Sequence, residues 1–241
     1  MREIRIYHAE ALAQKNEAML SESAARHVIQ VLRRKVGDQI TLFDGSGLDF
    51  IVEIMDIERK SVQVKILSQL QNNNESPLKI HLLQGISKGE HMDLAIQKAV
   101  ECGVTEITPV MTEFCAFKLD EKRRNKKLHH WQSVIRSACE QAERSVIPRL
   151  NSIQNISSLY NIEAEEKFIL HPYSDVQLSA ASISTSSCVL AIGPEGGFSD
   201  SEVKFACEKG WNKFSLGKRI LRTETATIAA IAVLQSKYGD Y

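Results

Sequence analysis

IGPEGGF at residues 192–198 and LGKRILRTETA at residues 216–226 are the stretches on which the fold turns. Each follows a short apolar run and leads into a segment patterned as a helix. A strand that ends in a glycine-rich turn before a helix sets backbone N–H groups along one edge of a sheet, where ligands of open α/β sheets collect. Two such turns separated by one helix imply a single pocket built from adjacent loops. Gly193, Gly196 and Gly197 surround Pro194 and Glu195. Without a Cβ they can take positive φ or admit a ligand close to the backbone, while Pro194 stiffens the turn and removes one donor. Ser199 with Glu202 three residues on is a capping box, which starts the next helix at Ser199. No Gly-Lys-Ser/Thr follows and the spacing is not GxGxxG, so a phosphate or dinucleotide loop is the weaker reading. An ordinary turn with structural glycines would carry the same letters.

Outward from these loops, residues 78–86, 104–110, 167–170, 188–192 and 213–216 are apolar and strand-like. Between the first two, Met92, Ala95, Ile96, Ala99 and Cys102 fall at helical spacing, and Gly103 supplies a stop. Leu128, Trp131, Ile135 and Ala138 mark a long helix to about Arg144, and the chain closes with a helix containing TATIAAIAVL. Strands alternating with helices predict a mostly parallel sheet. The alanine-rich closing helix suits close packing, either inside the domain or at a subunit interface. The first seventy residues read differently. A helix from about Ser21 to Leu32 precedes runs of alternating polarity, and Asp44-Gly45-Ser46-Gly47 turns a hairpin between residues 40–43 and 50–54. Several short strands in so small a segment predict a compact barrel. A polar tract ending at Pro77 divides the two rhythms. The expected organisation is a barrel over residues 1–70, a linker over 71–77 and an α/β domain over 78–241.

Composition narrows the classes. The chain has 241 residues, 43% of them hydrophobic, which is enough for a real core. No apolar run is long enough to cross a membrane, and MREIRIYHAEALAQ has no signal-peptide core. Cys102, Cys115, Cys139, Cys188 and Cys207 are scattered, odd in number and without CxxC. That suits a reducing cytoplasm with no structural zinc and no disulfides, with all five expected as small core residues. Net charge is zero, so a basic bias cannot argue for nucleic acid. Two local clusters remain: Arg33-Arg34-Lys35, and Lys118, Lys122, Arg123, Arg124, Lys126 and Lys127. Either could neutralise phosphates, and solvated helix faces would look the same.

Taken in order, RHVIQVLRRKVGD (26–38), LFDGSG (42–47), KGEHMDLAIQKAVECGV (88–104), ACEQAER (138–144) and the two opening stretches cover nearly the whole chain. This set resembles the bacterial 16S rRNA uracil-N3 methyltransferases of the SPOUT superfamily. The resemblance implies a small PUA-like β-barrel, then a SPOUT domain with a mostly parallel sheet and a deep trefoil knot, against the usual rule on threading. It also implies a cytoplasmic homodimer. Four positions depart from the family pattern: Ala142-Glu143 replaces a usual Cys-Gly or Ser-Gly pair, His91 a longer basic side chain, and Cys102 a leucine.

The resemblance also implies S-adenosylmethionine, held largely by backbone groups of three loops. Here these are Leu170, His171 and Pro172; Ile192, Gly193, Pro194, Glu195, Gly196 and Gly197; and Leu216, Gly217, Ile220, Leu221, Arg222, Thr225 and Ala226. No metal is required, because the sulfonium already carries an activated methyl group. Uracil N3 must lose its proton, so donors that stabilise charge on the ring oxygens would help most. Arg222 is the first candidate for that role, and Arg144 the second, reaching from a partner subunit. Glu224 or Glu195 could accept the proton, although either could instead cap a helix or anchor a loop. His171 is expected to shape its loop, and His129-His130, expected on the long helix between solvent and core, is given no chemistry. The target base would swing out of folded rRNA into the pocket. Arg26, His27, Arg33 and Arg34 would form a phosphate-contacting face on the barrel. The implied partner is 16S rRNA in an assembled or nearly assembled small subunit. A tRNA-directed SPOUT enzyme and a non-catalytic assembly factor are the competing functions. Labelled acceptors separate the first, and absence of cofactor binding would favour the second.

Overall fold

A computed structural model describes residues 4–115 and 120–241, so Lys118 lies outside the described residues. The chain forms two compact units: residues up to Glu75 with Cys139–Ile147, and Ser76–Ala138 with Pro148–Tyr241.

In the first unit, β1 (Arg5–Tyr7), β2 (Glu17–Met19), β3 (Gln39–Phe43), β4 (Leu48–Ile57) and β5 (Val62–Gln71) form one sheet in the order β1-β3-β4-β5-β2. All pairings are antiparallel except β1 with β3. The alternation that predicts these strands puts Phe50, Val52, Ile54, Val62 and Val64 into the core, with Ala25 and Val28 against them. The hairpin turn is where expected. Gly45 and Gly47 take φ of 93° and 87°, and Asp44 accepts the Ser46 N–H. α1 (Glu22–Arg26) is capped by Ser21 and runs into a single π-helical turn, His27–Val31. Arg33 follows in the left-handed region at φ 50°.

This unit also recruits a distant segment. Arg5 pairs with Asp49 at 2.7 Å, Ser145 donates to Asp49, and Arg144 pairs with Glu75 at 2.5 Å. Asn72 and Asn74 both donate to the Glu143 carbonyl at 3.0 Å, so the asparagine run expected as a linker is tied down by hydrogen bonds. Glu143 holds φ 57°, the left-handed conformation that glycine adopts without penalty. The glycine usual in the resembled family therefore has a backbone reason, and this chain meets the same turn with a glutamate.

The second unit carries β6 (Lys79–Gly85), α2 (Glu90–Glu101), β7 (Glu106–Met111), β8 (Arg149–Leu150), β9 (Gln154–Asn155) and α4 (Ile156–Leu159). It continues with β10 (Lys167–Leu170), β11 (Ser187–Ile192), α5 (Asp200–Glu208), β12 (Asn212–Phe214) and α6 (Thr223–Tyr238). The long α3 (Glu121–Ala142) crosses the unit boundary in sequence. The sheet runs β12-β10-β11-β6-β7-β8, with β9 also on β7, and every pairing is parallel. β6 and β11 are its middle strands. Their near-continuous apolar runs fit burial on both faces. α2 stops at Gly103, φ 87°, and packs against α6.

Two expectations need correction. Cys207 is exposed, and Cys102 and Cys115 are half-buried, leaving only Cys139 and Cys188 in the core. The buried stripe of α5 is Val203 and Ala206, and the next residue along a helix turns about 100° away. His129 and His130 are both exposed, and His130 meets Asp93 at 2.7 Å. On α3, Trp131, Ile135 and Ala138 are buried. Lys122, Arg123 and Lys126 are exposed, Arg124 reaches the Met111 sulfur, and Lys127 lies over the Trp131 ring. The cluster reads as a largely solvated helix face.

Candidate active site

At the C-terminal ends of β10, β11 and β12 the second unit opens a cleft of about 730 Å³. Small-molecule sites are commonly of this size. Three loops and the first turn of α6 line it.

The loop after β11 is held by steric fit. A Cβ on Gly85 would stand 2.4 Å from Pro194, and one on Gly193 would stand 2.9 Å from the backbone of Gly197. The loop therefore lies directly on the end of β6 and folds tightly on itself. Gly197 takes φ 72° and donates to the Pro194 carbonyl at 2.8 Å. Gly196 is glycine for another reason: a Cβ there would meet the Phe114 Cβ at 2.8 Å. Glu195 accepts the Lys88 N–H at 2.9 Å, so this carboxylate anchors the loop. Both bonds of the capping box join Ser199 and Glu202 at the start of α5.

The loop before α6 turns at Gly217, φ 98°, and ends at Arg222, the extended N-cap residue of the helix. Thr223 donates to the Gly193 carbonyl at 2.7 Å, joining the two glycine loops. Glu224 is buried in the first helical turn and accepts from His91 Nδ1 at 3.1 Å. A carboxylate only accepts, so the proton of this bond sits on Nδ1. His91 lines the cleft.

In the third loop the His171 N–H donates to the Phe214 carbonyl at 2.8 Å, and its ring meets Tyr173 edge-on. Burial lowers the His171 pKa and Lys213 adds to the effect, against an opposing pull from Asp200. Its Nδ1 is buried and has no partner among the described residues. A neutral ring with a free polar atom can receive a hydrogen bond from a ligand.

Every residue expected in the three cofactor loops lines this cleft except Thr225, which is exposed. Arg222 and Glu224 line it as well. Arg144 does not: it belongs to the first unit, its side chain is 3% exposed, and it is committed to Glu75. Arg26, His27 and Arg33 are exposed on the first unit and Arg34 is half-buried there. Sequence reasoning missed Gln84, Gly85 and Thr223. The buried Gln84 at the end of an apolar strand was the available signal. The role of Gly85 depends on a contact more than a hundred residues away, which no local pattern carries. Among the described residues no group of acidic, histidine and cysteine side chains is placed to hold a metal.

Comparison with known proteins agrees with this geometry. The RNA methyltransferase domain family matches residues 74–235, and an RNA methyltransferase PUA domain matches residues 20–67. The chain is 38% identical over 238 residues to ribosomal RNA small subunit methyltransferase E of Buchnera aphidicola subsp. Schizaphis graminum, covering 98% of this chain and 97% of that one. Against the protein of the same name from Bacillus subtilis it is 28% identical over 218 residues, covering 86% and 85%. Among solved structures, a Legionella pneumophila methyltransferase in complex with the bound cofactor S-adenosylmethionine superposes with a TM-score of 0.96 at 42% identity. The Neisseria gonorrhoeae ribosomal RNA small subunit methyltransferase E bound to S-adenosylmethionine gives 0.93 at 37%. Both cover all of each chain.

Proposed function

The chain belongs to the ribosomal RNA small subunit methyltransferase E family, and from that premise we propose that it methylates N3 of one uridine in 16S rRNA with S-adenosylmethionine as donor. The carrying observation is the cleft itself, in which two glycine loops and a third backbone edge face one space. The residues fit the donor. Leu170, Ile192, Leu216 and Leu221 supply apolar walls for a purine, loop backbone supplies donors and acceptors, and His171 Nδ1 is a free polar atom. Bound there, the sulfonium supplies an activated methyl group.

The chain's own side chains then act on the acceptor. Arg222 stabilises negative charge on a uracil ring oxygen as the N3 proton leaves. Glu224 is the candidate acceptor of that proton, and the hydrogen bond from His91 Nδ1 orients its carboxylate. The commitment of Glu195 to Lys88 supports an anchoring role. The pairing of Arg144 with Glu75 supports an architectural role for this second charge-stabilising candidate. Exposure of Arg26, His27 and Arg33 supports a phosphate-contacting face on the PUA domain. The trefoil threading is part of the proposal, supported by the loop pressed on Gly85 and by α6 packed on α2. So are a cytoplasmic homodimer and a substrate in the form of an assembled or nearly assembled small subunit.

The test uses methyl-labelled S-adenosylmethionine and small subunits lacking the modification. Digestion and mass spectrometry should give labelled N3-methyluridine from a single site. Label on another base atom, in tRNA, or nowhere would refute the assignment.

A further inference from the structure

Gln84 is fully buried at the end of β6 and does not line the cleft. A buried primary amide is costly unless its groups are paired, and here each has a partner. Gln84 Nε2 donates to Thr223 Oγ1 at 3.1 Å, and Thr227 Oγ1 donates to Gln84 Oε1 at 2.7 Å. Thr223 Oγ1 in turn donates to the Gly193 carbonyl at 2.7 Å. Thr223 and Thr227 are one turn apart on α6, so the amide grips that helix twice on one face. The chain of bonds has a direction. Thr227 donates to Gln84, Gln84 to Thr223, and Thr223 to the carbonyl of the first residue in the glycine loop.

We propose that Gln84 is a positioning residue that couples the cofactor loop to the acceptor side chains by fixing the first turn of α6 against Gly193. The inference rests on reading the cleft as the cofactor site. Arg222 immediately precedes Thr223 and Glu224 immediately follows it, so any rotation of that turn moves both. The same turn holds the Gly193 carbonyl, and with it the loop whose tight path is set by Gly85 and Pro194. One buried amide therefore sets where the cofactor sits and where the side chains that act on the acceptor point. Buried, fully satisfied networks of this kind specify a single arrangement, and replacing one member by an apolar group leaves its partners unpaired.

Calorimetric titration of S-adenosylmethionine into Gln84→Leu, Thr223→Val and the double variant tests the coupling. Each single change should weaken binding by about tenfold, and the double should be no worse than about twofold beyond the weaker single, since both break one chain. Thr223→Ser, which keeps the hydroxyl, should restore wild-type affinity. In subunit methylation, Gln84→Leu should also lower kcat at saturating cofactor. Effects that multiply, or a Thr223→Ser variant as weak as Thr223→Val, would overturn the proposal. Hydrogen exchange on the cofactor-free protein gives an answer independent of ligand. Gln84→Leu should speed exchange over residues 193–198 and 223–227 together. A change confined to β6, or none, would overturn the coupling. A wild-type protein that fails to bind S-adenosylmethionine would instead refute the reading of the cleft.

Discussion

Arg222, which lines the cleft, is the residue proposed to stabilise charge on the acceptor. As the N-cap of α6 it has extended backbone, and it is exposed at the cleft lining, so its guanidinium is available there. Arg222→Ala should leave cofactor affinity within about twofold and cut turnover by at least about tenfold, which is about 1.4 kcal/mol of barrier. Single-turnover methylation beside a calorimetric titration checks both halves, and unchanged turnover would remove Arg222 from the mechanism. Arg144 has the opposite profile. Its side chain is buried against Glu75, so Arg144→Ala strands a partly buried carboxylate and should cost about 3 kcal/mol in urea unfolding. Calorimetric cofactor affinity should stay unchanged, and weakened binding without lost stability would return Arg144 to the site. Both arginines are plain letters in the sequence. Burial separates them: Arg222 is exposed at the cleft, and Arg144 is committed to Glu75.

At the scale of elements, the glycine loop shows why a glycine motif is readable while its reason is not. The cluster at residues 193–197 predicts close backbone approach, and the structure divides the work. Gly193 meets Gly197, and Gly197 has positive φ. Gly196 faces Phe114, a residue of the chain itself. Gly196→Val should therefore displace the loop and weaken S-adenosylmethionine by more than about tenfold, or about 1.4 kcal/mol. Calorimetry checks this, and wild-type affinity would show that the loop yields without moving the cleft. The segment recruited by the first unit has its own signature in pH. Burial acts to raise the Asp49 carboxyl, but hydrogen bonds from Arg5, Ser145 and Asn72 outweigh it and hold the pKa below the ordinary value. A depressed folded-state pKa contributes stability that is present above the unfolded value and lost as pH falls through the folded one. Urea midpoints should fall below about pH 4 in the wild type. Asp49→Asn should flatten that decline, and an unchanged slope would assign the acid sensitivity elsewhere.

At the scale of the whole molecule, α6 keeps one apolar face only half-covered within a single chain. Ala230, Ile231 and Leu234 are buried, yet Ile228, Ala229, Ala232 and Val233 are only half-buried. An apolar helix with small residues on a half-open face suits close approach by a second copy. Light scattering should give twice the 27.0 kDa chain mass, and Val233→Glu should halve it. A monomeric wild type would assign that face to packing within the chain.

Much of this protein is legible in one dimension. Alternating polarity places β3, β4 and β5, helical spacing places α2 and α3, and the capping box starts α5 at Ser199, because each signal lies within a few residues of what it specifies. Two glycine loops are also predicted onto one cleft, since parallel strands put their C-terminal ends on one edge, and the third loop is implied by the family resemblance. Tertiary structure alone decides the rest. Arg144 joins Glu75, Asn72 holds Glu143, Gly85 makes room for Pro194, and Gln84 grips Thr223. Each of these partners lies dozens of residues away or more. Their energies depend on burial and contact distance, which no local pattern encodes.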